Sequence, residues 1–377
     1  MQIDNFFKII NKLGIGMYTG VPDSLLKPLC DYLIQKYGVS NKHIVAANEG
    51  AAVGLAAGHY LATSKPAMVY MQNSGIGNAV NPICSLINHK VYAIPTLFVI
   101  GFRGEPGVHD EPQHIFQGEI TESLLKTLQI KYFLLTNNTS EAVLESAINE
   151  AKAEFLKGKS YAIVVKKSAL QNDYNLNYNN NFSLSREEVV KLVVQNSNNN
   201  DVFVSTTGKL SRELFEIRED IDKNHKRDFL TVGSMGHSSM IALAIAKEKP
   251  NRMVYLLDGD GAVLMHLGNL AVLGANKPKN LVHILINNAA HETVGGIPTV
   301  ANKINFMALT AACGYNKAFS LCNEEDLINT LNEIKTLEGP IFIEVKTNLN
   351  SRSNLGRPTT TPTENKENFI QFLNCDN

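Results

Sequence analysis

Apolar runs of five or six residues, each followed by a helix-patterned stretch, recur along nearly the whole chain. Before residue 171 they fall at 43–47 (HIVAA), 67–71 (AMVYM), 96–101 (TLFVIG), 131–135 (KYFLL) and 161–165 (YAIVV). After residue 184 they fall at 201–205 (DVFVS), 253–257 (MVYLL), 281–286 (LVHILI) and 340–345 (PIFIEV). Strands alternating with helices in this way belong to open parallel sheets covered by helices. Between the two series lies QNDYNLNYNNNFS, Gln171 to Ser183, rich in Asn and almost free of aliphatic residues. Beyond it Ser185-Arg186-Glu187-Glu188 has the form of a capping box opening a helix. The expectation is an α/β protein of two open parallel-sheet domains, 1–170 and 185–377, joined by a linker over 171–184.

The chain of 377 residues is long enough for two or three domains with substantial cores. A hydrophobic content of 44% with a formal net charge of −1 gives no electrostatic pull toward nucleic acid or membrane. No apolar run reaches the roughly 18 residues of a membrane helix. The N-terminal MQIDNFFKIINKLG reads as an amphipathic helix rather than a signal peptide. The five cysteines are scattered, with no Cys-x-x-Cys pair, so a reduced, cytoplasmic protein is expected.

The densest chemistry sits where two strands should stop. Gly259-Asp260-Gly261 follows the run at 253–257, and Asn287-Asn288 follows the run at 281–286. The spacer between them reads as one helix ending near Gly274 and Lys277-Pro278. An acid at one carboxyl edge and an amide pair at the next suit Mg²⁺, a hard cation that takes its remaining oxygens from phosphates. Glu49 opens a small-residue helix after 43–47, where a helix dipole alone could account for it. QNSGIGNAVNP (72–82) is a Gly-rich turn, and GFRGEPGVHDEPQH (101–114) a stiff polar loop carrying Arg103, His109, Asp110, Glu111 and His114. Asp23 lies in the turn of YTGVPDS, equally readable as a helix cap. Ser205 to Phe215 joins a strand end, a Gly turn and a helix start, a natural anion site. VGSMGHSS (232–239) is a further turn, and His291 and Glu292 follow Asn288. The tail carries Arg352, Arg357 and Lys366 among prolines and hydroxyls, then an apolar NFIQFL that should dock. No Gly-x-Gly-x-x-Gly both follows a strand and opens a helix with an acid about 20 residues on, which speaks against a Rossmann dehydrogenase.

Gly-Asp-Gly and Asn-Asn at this spacing resemble the signature of thiamine diphosphate enzymes. ANEGAAVGLAAG, GFRGEPGVHDEPQH, STTGKLSREL, GSMGHSS, NNAAHETVGG and LGRPTTTP extend the resemblance from about residue 16 to 366, toward the family's phosphonopyruvate and sulfopyruvate decarboxylases. The resemblance implies a pyrimidine-binding domain, a diphosphate-binding domain and no central domain. It implies thiamine diphosphate with Mg²⁺ held by Asp260, Asn288 and the carbonyl of Ala290. Ser74, Thr207, Gly208, Ser234, Gly259, Gly261 and Ala262 would line the cofactor. Ala262 stands where many relatives have Ser, so one hydroxyl contact to the diphosphate is missing. Glu49 matches the glutamate that hydrogen-bonds the aminopyrimidine ring, and Met235 the apolar wedge that keeps the cofactor bent. Asp23, His109, Asp110, His114 and His291 become candidates for proton handling, and Arg103, Arg352 and Arg357 for the substrate's second anion. The implied activity is decarboxylation of phosphonopyruvate, a small-molecule keto acid, by a homo-oligomer of at least two chains with active sites between them. A sulfopyruvate decarboxylase and a non-catalytic cofactor-binding subunit are the alternatives.

Overall fold

The computed structural model describes residues 1–173, 176 and 178–375. It forms two compact units, Met1–Asn177 and Tyr178–Asn377.

The first unit is built on strands β1 (Met17–Gly20), β2 (His43–Val45), β3 (Ala67–Gln72), β4 (Thr96–Gly101), β5 (Lys131–Leu135) and β6 (Tyr161–Val165). All pair in parallel, in the order β2-β1-β3-β4-β6-β5. Strands β1, β3, β4 and β6 carry buried residues on both faces, which is why they read as continuous apolar runs. The helix Glu49–Thr63 is capped by the Asn48 side chain, which accepts from the N–H of Ala51. Its Ala52, Val53, Ala56 and Ala57 are buried in the core with Val69, Met71 and Ile100.

The second unit contains β7 (Val202–Ser205), β8 (Asp228–Leu230), β9 (Val254–Gly259), β10 (Leu281–Asn287), the short hairpin β11 (Ala290–His291) with β12 (Ile297–Pro298), then β13 (Lys317–Leu321) and β14 (Ile341–Lys346). Its main sheet is again parallel, in the order β13-β14-β10-β9-β7-β8. Taken from the β8 edge, that order reproduces the first unit strand for strand. In each sheet the chain first steps one way, from β1 to β2 or from β7 to β8. It then crosses back and grows the other way, through β3 and β4 or β9 and β10. The β1/β3 and β7/β9 junctions are therefore topological switch points, where crevices open beyond the strands' carboxyl ends.

Besides the short hairpin β11–β12, three strands of the main sheets escape the sequence pattern. β1, β8 and β13 are MYTG, DFL and KAFSL, too short or too mixed to stand out. The spacer after Gly261 is two helices rather than one, Asp260–Met265 and Gly268–Asn276, parted where His266 leaves helical geometry. The apolar end of the tail docks, as a helix over Pro362–Asn374 with a full capping box at Thr361 and Glu364. Among the described residues no helix is long and apolar enough to cross a membrane.

Candidate cofactor and active site

In the second unit, Asp260 opens the helix after β9, at the switch point beside Thr206-Thr207-Gly208 after β7. Asp260 is 4% exposed, and burial pushes its pKa up to about 6 against the pull of the Thr299 hydroxyl and the Gly261 N–H. Thr299, which nothing in the sequence singles out, donates its hydroxyl to Asp260 and its N–H to the carbonyl of Ala289 at 2.9 Å. The β11–β12 hairpin thus folds back over the acid. Asn288 enters that hairpin: its Oδ1 accepts from the N–H of Ala290 at 3.1 Å and its Nδ2 donates to Glu292 at 2.9 Å. Ala289 follows in the left-handed region at φ 57, a strained placement for a residue with a Cβ. Asp260, Asn288 and the Ala290 carbonyl present hard oxygen donors on one edge. Among the described residues no group of three or more His, Cys, Asp and Glu could enclose an ion. An open set with one under-compensated carboxylate fits a divalent cation whose remaining oxygens come from a diphosphate.

Met235 and His291 converge on Gly261. A Cβ there would lie 3.0 Å from Met235 Cε and 3.2 Å from His291 Cε1 and Nδ1, so a side chain at this position would crowd both. Burial pushes the His291 ring down to about 4, keeping it neutral at pH 7. Thr207 donates its hydroxyl to the Val232 carbonyl at 2.6 Å, tying together the two turns that carry Gly208 and Ser234. Ser234 is another left-handed residue, φ 53. Gly259 ends β9, and Ala262 is buried in the following helix.

A buried ion-pair set supports the hairpin. Arg186 forks onto Glu213 at 2.6 and 2.7 Å and reaches Glu292 at 2.6 Å, while Lys209 meets the other Glu292 oxygen at 3.2 Å. Arg352, from the tail, is engaged elsewhere. It grips Glu187 at 2.9 and 3.0 Å and Glu216, which also accepts the N–H of Gly356. The tail is thereby strapped to the helices Arg186–Gln195 and Lys209–Asp222. Arg357, one residue further on, is exposed.

In the first unit, the β1/β3 switch point holds a chain of hydrogen bonds. Ser74 donates to Gln72 at 2.7 Å, and Gln72 donates to Asp23 at 2.7 Å. Asp23 is 1% exposed, and burial raises its pKa against the opposing pull of Gln72 and Arg103. Glu49 is buried at its helix start and accepts from Asn78 at 2.9 Å. A Cβ at Gly75 would come within 2.6 Å of both Cγ and Oε1 of Glu49, so this carboxylate occupies the space a side chain would need. The 101–114 loop closes on itself. Arg103 forks onto Asp110, bonds Ser24 at 3.0 Å, and Asp110 also accepts the N–H groups of Gly104 and Glu111. Burial disfavours the Asp110 anion, but Arg103 and those N–H groups outweigh it and hold its pKa well below the carboxylate range. His114 is buried with an unpartnered Nδ1, and burial followed by the Arg103 charge lowers its pKa. His109 is exposed. Asp23, Ser74, Arg103 and Asp110 thus share one sheet edge, Glu49 sits over Gly75, and His109 stands apart.

A family model described as the thiamine pyrophosphate enzyme N-terminal TPP binding domain matches residues 3–125, and one for the C-terminal TPP binding domain matches residues 210–345. Over 96% of its length the chain is 32% identical to phosphonopyruvate decarboxylase of Streptomyces viridochromogenes, covering 92% of that protein. It is 30% identical to phosphonopyruvate decarboxylase of Streptomyces hygroscopicus, covering 96% of this chain and 91% of the relative. Against sulfopyruvate decarboxylase of Methanosarcina acetivorans the identity is 24%, over 91% of this chain and 90% of the relative. The chain belongs to the thiamine pyrophosphate enzyme family, within its phosphonopyruvate decarboxylase branch.

Proposed function

We propose that the protein catalyses the thiamine diphosphate- and Mg²⁺-dependent, non-oxidative decarboxylation of 3-phosphonopyruvate to phosphonoacetaldehyde and carbon dioxide, a step in phosphonate biosynthesis. The observation that carries this reading is the nearly end-to-end similarity to two phosphonopyruvate decarboxylases, higher than to the sulfopyruvate decarboxylase of comparable coverage. Bound thiamine diphosphate supplies the nucleophilic carbon and the electron sink that decarboxylation needs.

The chain's own residues bind, orient and move protons. Asp260, the Asn288 side chain and the Ala290 carbonyl are assigned the Mg²⁺. Gly259, Gly261, Ala262, Thr207, Gly208 and Ser234 are assigned the diphosphate side, Met235 the bend, and Ser74 and Glu49 the pyrimidine. Glu49, fixed by Asn78, holds the proton exchanged with the aminopyrimidine nitrogen. His291, neutral and beside Gly261, and the buried Asp23 and His114 are the best-supported proton carriers. Asp110 is engaged by Arg103, and its role here is to aim that guanidinium. Arg103, Arg352 and Arg357 are assigned the phosphonate, since guanidinium forks match its oxygens. Arg103 meets Asp110 and Arg352 meets Glu187 and Glu216, so a phosphonate would compete with these carboxylates for the guanidinium groups.

The assembly is a homo-oligomer of at least two chains with active sites between chains. Steady-state turnover of phosphonopyruvate, sulfopyruvate and pyruvate, with and without thiamine diphosphate and Mg²⁺, tests the reading. Preferred, cofactor-dependent release of carbon dioxide from phosphonopyruvate is expected. Preference for sulfopyruvate would reassign the substrate, and cofactor binding without turnover would make the chain a non-catalytic subunit.

A further inference from the structure

We propose that Glu292 is a positioning residue: it fixes the Asn288 amide so that its oxygen, not its nitrogen, is turned toward the metal. The inference rests on the functional reading above, which assigns Asn288 to Mg²⁺. An Asn side chain presents an acceptor at one end and a donor at the other, and rotation by half a turn exchanges them. Only the oxygen end can ligate a hard cation. In this site the choice is forced from both ends. Asn288 Nδ2 lies 2.9 Å from Glu292 Oε2, and Asn288 Oδ1 lies 3.1 Å from the N–H of Ala290. Exchanging the ends would set an oxygen against a carboxylate and an NH₂ against an N–H.

Glu292 can act as that reference because it is itself immobilised. The same oxygen that takes the Asn288 amide accepts from Arg186 Nη1 at 2.6 Å, and the other oxygen meets Lys209 Nζ at 3.2 Å. Arg186 is held in turn by the fork to Glu213. The side chains of Glu292 and Arg186 are each 8% exposed and that of Glu213 1%, so none is free to reorient into solvent. Two carboxylates and two cations make a charge-balanced set. It links the first turn of the helix Arg186–Gln195 and the first residue of the helix Lys209–Asp222 to the metal loop. Orienting groups of this kind are worth about 10–100-fold in metal affinity.

The test measures Mg²⁺-dependent binding of thiamine diphosphate to the full-length protein by titration calorimetry, with melting temperature followed in parallel. Glu292→Ala should raise the Mg²⁺ half-saturation by about 10–100-fold. Glu292→Gln still offers an amide oxygen to Asn288 and should lie closer to wild type. In an Asn288→Asp background both ends of residue 288 are oxygen, so Glu292→Ala should no longer weaken the metal. An unchanged half-saturation in Glu292→Ala overturns the inference. So does equal weakening with Asn or Asp at 288, or equal loss in Glu292→Ala and Glu292→Gln, since each means bulk support or charge rather than amide orientation. Failure of the wild-type protein to bind thiamine diphosphate in a Mg²⁺-dependent way would instead overturn the functional reading itself.

Discussion

At the scale of single residues, Glu49 and Gly75 compete for one small volume, and the glycine yields it. Gly75→Ala should displace the carboxylate and reduce turnover about 100-fold or more, within the roughly 10²–10⁴-fold range expected for Glu49→Gln. Both variants should keep melting temperatures near wild type if the loss is catalytic, which calorimetry beside steady-state kinetics checks. Asp260 gives a pH signature. Its folded pKa, about 6, lies above the ordinary carboxyl value. The neutral acid's stabilisation is therefore complete below about pH 4 and lost as pH rises through about 6, by at most about 3 kcal/mol. Metal-free Asp260→Asn should be more stable than metal-free wild type at pH 8, and the two should converge below pH 4. Added Mg²⁺ should reverse the order, and urea unfolding across pH with and without the ion measures both effects. Glu49, Asp260 and Asn288 were legible because each stands at a strand's end in a recognisable run. Thr299 was not, because nothing local distinguishes it, and for Gln72 and Asn78 the Gly-rich turn at 72–82 was visible but their bonding partners were not. All three matter through partners 39, 49 and 29 positions away in the chain.

At the scale of elements, the edge strand β8 depends on the tail. Asn365 is buried and donates to the Asp228 carbonyl at 2.8 Å while accepting the Leu230 N–H at 3.0 Å, standing in for a neighbouring strand. Asn365→Ala leaves both backbone groups unpaired, and a loss of about 2–4 kcal/mol is expected in urea denaturation. A loss below about 0.5 kcal/mol would mean that water replaces the amide without penalty. The apolar NFIQFL signalled that the tail must dock, but neither the strand it covers nor the strap at Arg352 could be read ahead. β8 has three residues and no periodicity to detect. The same limit hid β1 and β13. The long runs over 96–101 and 281–286 were legible because central strands of a parallel sheet are apolar on both faces.

At the scale of the whole molecule, two units repeat one strand order although their sequences give no usable similarity. The corresponding switch points carry different chemistry, Asp23, Gln72 and Ser74 in one and Thr207, Gly208 and Asp260 in the other. One fold has been furnished twice, once for a pyrimidine and once for a metal diphosphate in the proposed reading. That division makes the proposed assembly testable by complementation. Glu49→Gln and Asp260→Asn chains, each inactive alone, should recover about a quarter of wild-type activity when unfolded and refolded together as two-fold dimers. No recovery, with mixed dimers demonstrated by mass, would place each site within a single chain. By itself the sequence determined the α/β class and the two-part division, and it singled out the acid, amide and glutamate proposed to hold the cofactor. Those are matters of local periodicity and short motifs. Only the tertiary structure decided the strand order, the switch points, the hairpin that brings Thr299 onto Asp260, and the ion pairs that hold Glu292 against Asn288. Each of these joins segments whose separation in sequence carries no trace of their proximity, because burial and hydrogen bonding act on folded neighbours rather than on neighbours along the chain.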